Sequence, residues 1–380
     1  MAEESINTNL ALIPDGTIYI AKMWSGNDES TQFGLITVHE PINVGSFGNV
    51  YNALLNKSKR IVALKQVLHD PLNREVDVLN RLKDHCNIVQ LYENIHVSLG
   101  EPIQMYSLLA LNRMPMTLQG YILEQKDRCM PLTYVRIIAY QMFRALAFVH
   151  SHGICHRDVK LDHLLIDPLT MNLRLGGFSN AFFIGQSQLA DLRVTASSRL
   201  YRAPELFGSC AYYSTAVDVW SAGCVLAEII NGSPLFEHFD SDREQLLNCV
   251  LTLGTYGLEQ APRMKEASGV SKVIVETRPE WVLLLKTEVP NDLQELLNFC
   301  LLYASEERIS ALGACAHCSF DELRLMEMMK KPMPNGVPLP PLFDFSSHEM
   351  SIDTSLSLLL LPLKIAEKEE KEKIIKTEKD

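Results

Sequence analysis

Positive charge is in short supply in this chain. Against 46 Asp and Glu stand 35 Lys and Arg, a formal net charge of −11. That balance argues against nucleic acid or an anionic membrane as a partner of the surface as a whole. Long apolar runs are scarce too, and Leu358 to Leu361 falls far short of the ~20 residues a membrane helix needs. No internal repeat is visible. The nine cysteines form no spaced framework, and no basic-plus-apolar signal segment opens the chain. Both point to a reducing compartment, cytoplasmic or nuclear. Cys315-Ala316-His317-Cys318 is the one grouping that suggests a metal. A structural zinc site uses four ligands and no second pair lies nearby, so packing at a helix terminus is the expectation.

What is present is ordinary for a globular protein: 47 % hydrophobic and 21 % charged residues over 380 positions. That length suits one two-lobed domain of about 290 residues with extensions. Residues 1–35 carry the turn signals Asp15-Gly16 and Gly26-Asn27 and read as an extension, either partly ordered or loose. From Leu35 to about Leu111 the pattern is short strands around one helix. Arg60 to Val67 is rich in β-branched residues, and alternation puts Ala63 and Lys65 on the same face. Leu72, Val76, Leu79 and Leu82 recur at helical spacing after Pro71, with Glu75 on the face of Leu79. Beyond Leu111 helices dominate. Thr133 to Gly153 repeats apolar residues at helical intervals, and Val217 to Ile230 is apolar on nearly every side, which predicts a buried central helix. The fold class is therefore α+β, with a small β-rich lobe and a larger helical one. The final residues from Ala366 alternate Glu and Lys, as a solvated helix or a disordered tail would.

A series of motifs follows in order. Asn43-Val44-Gly45-Ser46-Phe47-Gly48-Asn49-Val50 keeps two glycines that would let backbone amides approach phosphate; alone, they read equally well as a hairpin. Val62-Ala63-Leu64-Lys65 comes next, then Glu75, then His156-Arg157-Asp158 with Lys160. Tyr201-Arg202-Ala203-Pro204-Glu205, Asp218-Val219-Trp220-Ser221-Ala222-Gly223 and Arg308 complete the set. In this order and spacing they resemble the protein kinase superfamily. Finer matches, such as Asp84-His85-Cys86-Asn87-Ile88-Val89 and Phe320-Asp321-Glu322-Leu323-Arg324, resemble glycogen synthase kinase 3 of the CMGC group, from about residue 35 to 345.

The resemblance implies a kinase-like domain over 36–324, with an N-lobe at 36–111, a hinge at 112–114 and a C-lobe at 115–324; 325–380 would be a C-terminal extension. It implies ATP as cofactor, with Lys65 on the α/β-phosphates, Glu75 holding that Lys, Asp158 orienting the acceptor hydroxyl and Lys160 on the γ-phosphate. Gly45, Gly48, Val50, Ala63, Asn112 and Met114 would line the nucleotide, behind Leu111 as gatekeeper. Arg74 and Arg157 match two arginines of a phosphate-reading pocket whose lysine is here Phe182. Thr195, near Arg193 and Arg199, stands at the activation-loop tyrosine position, and Phe178 would stack with Leu79 and His156.

Two departures stand out. The Asp of Asp-Phe-Gly reads Gly177, and the metal-binding Asn of the catalytic loop reads His163. Magnesium prefers oxygen ligands, so no metal site is expected unless Asp162 substitutes. Two readings follow: a pseudokinase with a signalling or scaffold role and weak ATP binding, or a divergent active serine/threonine kinase. Either would have protein partners or protein substrates. The segment after Leu253-Gly254-Thr255-Tyr256 diverges, so the family's docking partners do not transfer.

Overall fold

Arg60–Leu68 is a strand, as its β-branched residues predict, and it belongs to a six-stranded antiparallel sheet. The computed structural model describes residues 12–23, 32–45, 48–69, 74–99, 104–128, 130–184, 199–207, 214–259, 261 and 277–362. Two units result: Met1–Asp84 with Ile88–Pro115, and His85–Asn87 with Met116–Asp380. The expected hinge, 112–114, lies at the end of the first.

In the first unit the strands are β1 (Ile18–Met23), β2 (Gln32–Gly45), β3 (Gly48–Leu55), β4 (Arg60–Leu68), β5 (Leu91–Leu99) and β6 (Gln104–Asn112), with helix α1 (Glu75–Arg81) between β4 and β5. Their order is β1-β2-β3-β4-β6-β5. Pro41 sits in β2 where the register to β3 shifts, a place where the missing N–H breaks no ladder. One sheet face carries Tyr51, Ala53, Val62, Leu64, Leu108 and Ala110, all fully buried. Strand β1 also meets β5, so the sheet curls round this core.

The sheet reaches further back than its expected start at residue 36, which falls inside β2. Ile13 is buried in the same core, and its N–H donates to the Tyr51 hydroxyl at 3.0 Å. Gly16 N–H donates to the Val38 carbonyl and Val38 N–H to that of Thr17, each at 2.9 Å. Residues 13–23 are thus part of the core and ladder. In α1 the buried stripe is Glu75, Val78 and Leu79, continued by Leu82. Val76, predicted to face inward, is only half-buried; Pro71 and Leu72 lie outside the described residues.

The second unit is built on helices. Helix α2 (Leu118–Glu124) is capped by the Thr117 side chain, which accepts from Gly120 N–H. Helix α3 (Leu132–Ser151) is buried from Tyr134 to Val149. Among the described helices it alone is long and apolar enough to cross a membrane, but 89 % of the tested stretch is inside the protein, as in a core helix. Helix α4 (Ala216–Asn231) has a buried run from Val217 to Ile230, as its apolar pattern predicts, and Gly232 ends it at φ +73. Both the architecture and the composition are α+β.

Residues beyond 324 continue the second unit. Met333, Leu342 and Leu360 are buried. Arg144 of α3 is the anchor: its Nε donates to Glu349 Oε1 at 2.7 Å, Nη1 to Asp344 Oδ1 at 2.6 Å and Nη2 to the Asp344 carbonyl at 3.0 Å. His85 adds a 3.2 Å contact to Glu349 and stacks on Phe148. Burial alone would raise the Glu349 pKa, but the His85 and Arg144 hydrogen bonds hold it well below the usual carboxylate range. Replacing Arg144 by Ala would strand that carboxylate and is expected to cost about 3–5 kcal/mol. Asp344→Ala, at a partner whose side chain is 52 % exposed, should cost under about 1 kcal/mol. Urea denaturation of the two variants checks the contrast.

Candidate catalytic and nucleotide site

The predicted site residues fall in both units, and each half is built separately. In the first, the registers Val50↔Lys65, Ala63↔Leu111 and Lys65↔Leu109 set Val50, Ala63, Lys65, Leu109 and Leu111 on one sheet face, opposite the core. The Lys65 ammonium donates to both Glu75 oxygens, at 2.8 and 2.7 Å, and both side chains are buried. The expected strand–helix pairing is therefore formed. Gly45 of β2 pairs with Gly48 of β3. Gly48 has φ +121, and a Cβ there would lie 2.4 Å from the Gln66 carbonyl oxygen, so no side chain fits. Asn112 uses its side chain on Gln90, accepting from that N–H at 2.7 Å. Met114 is half-buried.

In the second unit, the Asp218 carboxylate accepts from His156 N–H and Arg157 N–H, each at 2.8 Å, and contacts His150 Nε2 at 2.9 Å. Burial would raise its pKa, but hydrogen bonds and charge from His150 and His156 bring it below the ordinary value. These bonds hold Arg157 at φ +65, a backbone region rare outside glycine. Asp158 follows, 3 % exposed. Its Oδ2 accepts from Lys160 at 3.1 Å and from Asn180 Nδ2 at 3.4 Å. Asn180 belongs to none of the motifs read in the sequence, although it lies between the matched positions Phe178 and Phe182.

The strands Leu164–Ile166 and Leu173–Leu175 explain why positions 163 and 177 meet. Leu164 pairs with Leu175, so His163 and Gly176 flank the end of the ladder, and Gly176 N–H donates to the His163 carbonyl at 2.8 Å. Gly177 is left-handed, φ +75 and ψ +39. A Cβ built on it would lie 2.3 Å from His163 Cγ and 2.5 Å from its Nδ1. The imidazole thus occupies the space a side chain at 177 would enter. Its Nδ1 is 2.7 Å from the Asp158 carbonyl oxygen, which can only accept, so Nδ1 carries the proton. Burial, with the nearby Lys160 and His156, pushes the His163 pKa down to about 4 against the pull of Asp158; the ring is neutral.

Around this centre several predicted contacts are present. His156 Nδ1 accepts from Asp158 N–H and Nε2 lies 2.8 Å from the Gly176 carbonyl, while the ring meets Phe178 edge-on at 4.7 Å. Arg308 makes a bidentate pair with Glu205 at 2.5 and 2.7 Å. The Arg157 guanidinium lies 5.3 Å over the Phe182 ring and its Nε donates to the Asn180 carbonyl at 2.6 Å. Arg199 pairs with Asp242; Arg193 and Thr195 lie outside the described residues. Asp162 is exposed.

A family model for the protein kinase domain matches residues 36–320. The chain belongs to the protein kinase domain family. Its members generally bind ATP and magnesium and act on or with proteins, and this kinase domain has the family's curled sheet and helical unit. The Cys315–Cys318 grouping is separate from this centre. Cys315 is buried with its thiol pushed up to about 12 by burial. Glu295, His317 and Cys318 bring three ligand-type atoms within 4.8 Å of one another, one fewer than a structural zinc site uses. His317 Nδ1 is engaged by Ser319.

A histidine buried neutral gives stability that is whole above its unfolded pKa of about 6.5 and is lost as pH falls toward the folded value, because the unfolded chain takes the proton first. For His163 that window runs from about 6.5 down to about 4. The melting temperature should therefore fall on acidification from pH 7 to pH 5, and less steeply in His163→Asn than in the parent chain.

Proposed function

We propose that this kinase-family chain is a glycogen synthase kinase 3-like pseudokinase: a signalling or scaffold protein, cytoplasmic or nuclear, that binds protein partners and retains weak ATP binding. The observation that carries the reading is the His163 ring beside Gly177. Magnesium takes oxygen ligands in near-octahedral geometry, whereas position 177 offers no side chain and position 163 an imidazole. The residues present do not fit a magnesium ion. Family membership and the Lys65–Glu75 pair support nucleotide binding. On this reading Lys65 would hold the phosphates, and Gly45, Gly48, Val50, Ala63, Asn112 and Met114 would lie along the nucleotide.

Without a metal, phosphate charge in the transition state would be met mainly by Lys65, Lys160 and backbone amides. Losing one comparable charge contact, the arginine finger, costs about 10³–10⁵ in rate. Kinases turn over at about 1–100 per second, so little turnover would be left. The finer assignment to glycogen synthase kinase 3 rests on the sequence matches. The Arg157 guanidinium packed on Phe182 fits a phosphate pocket short of one cation.

A second reading, a divergent active serine/threonine kinase, is favoured by the formed Lys65–Glu75 and Glu205–Arg308 pairs and by the retained Asp158. Magnesium separates the two. For a pseudokinase, the ATP-induced rise in melting temperature is the same with and without magnesium. Label transfer to a serine/threonine substrate then equals that of Asp158→Asn. A magnesium-dependent rise together with transfer abolished in Asp158→Asn would establish the active enzyme instead.

A further inference from the structure

Positions 163 and 177 read in the sequence as two separate losses, but in the fold they share one volume. We propose that His163 and Gly177 are an interlocked pair: the imidazole fills the space that any side chain at 177 needs, so a carboxylate cannot return there until the ring is removed. The inference rests on the reading that no magnesium is held here, and extends it to why a single reversion would fail.

The backbone is not the obstacle. At φ +75 Gly177 is in the left-handed region, which Asp tolerates better than most residues. The obstacle is His163. The clashing atoms, at 2.3 to 2.6 Å, include Cγ, the root of the ring rather than a flexible tip. Swinging the ring away would break the 2.7 Å Nδ1 bond to the Asp158 carbonyl. Neither can the glycine backbone retreat freely: Gly176 is bonded through its N–H to the His163 carbonyl and through its carbonyl to His156 Nε2, each at 2.8 Å. Both partners of the clash are thus fixed. With the ring gone, Asp at 177 would offer the hard oxygen ligand that a divalent cation such as magnesium takes.

A double-mutant cycle on the full chain tests this, with Gly177→Asp, His163→Ala and the pair compared with the parent by melting temperature, each with ATP and with or without magnesium. Gly177→Asp alone should lower the melting temperature by several degrees or prevent folding, with no magnesium response. In the His163→Ala background the same change should cost much less, and the double variant should gain a magnesium-dependent ATP stabilisation that the parent lacks. An equal cost of Gly177→Asp in both backgrounds would overturn the proposal, as would a well-folded single variant that already responds to magnesium. If Asp-bearing proteins fail to fold in both backgrounds, Gly177→Ala completes the same cycle with the Cβ alone, and additivity there refutes the interlock. A magnesium response in the parent would refute the pseudokinase reading while the stability cycle still reports on the interlock.

Discussion

One buried carboxylate holds the loop on which the catalytic half depends. Asp218 is fully enclosed at the start of α4 and accepts from two successive backbone N–H groups, those of His156 and Arg157. A charge so buried is tolerable only when hydrogen-bonded, and here the bonds also fix a left-handed turn at Arg157. Everything downstream inherits that turn: the direction of the Asp158 side chain, the Asp158 carbonyl that receives His163, and the His156 ring that reaches Gly176. The ring beside Gly177 is therefore held by the same loop that carries Asp158.

Two ion pairs hold the shape of the fold. Lys65–Glu75 and Glu205–Arg308 are both well-bonded contacts between buried or nearly buried groups. Desolvating such charges is costly, and geometry this close is what makes the pairing sustainable. The first ties strand β4 to the following helix α1, and the second ties the Pro204–Leu206 turn to Arg308, 103 positions later. These contacts stabilise shape whether or not phosphate is transferred. Their presence is compatible with a binding protein as much as with an enzyme, which leaves the centre between Asp158, His163 and Gly177 as the discriminating feature.

Much of this was legible from spacing. Strand alternation placed Ala63 beside Lys65, and the helical repeat placed Glu75 on the inner face of α1. The order of the motifs carried Glu205 to Arg308 across about a hundred residues. Other features left no local trace. Ile13 ends the short apolar run Leu10-Ala11-Leu12-Ile13 just before Pro14, and nothing in that run announces a bond to the Tyr51 hydroxyl or a place in the sheet core. Arg144 looks like one more polar residue of an amphipathic helix, yet it is 3 % exposed because Glu349, 205 positions later, neutralises it. The meeting of His163 with Gly177 depends on the Leu164↔Leu175 register, a non-local pairing that only the folded hairpin displays.

Charge balance gives that meeting a physical rationale. Asp158 is paired with the Lys160 ammonium at 3.1 Å, and the Arg202 charge also acts on it. A second carboxylate at 177 would add an anion to a largely dry centre, where like charges repel strongly unless a divalent cation lies between them. Without such a cation, a neutral imidazole is the better neighbour. Its Nδ1–H satisfies the Asp158 carbonyl, its ring fills the space that a glycine leaves open, and its low pKa keeps it from adding charge of either sign. Glycine at 177 and a neutral ring at 163 are then linked: together they add no charge beside Asp158, and the ring occupies the space that the glycine leaves open.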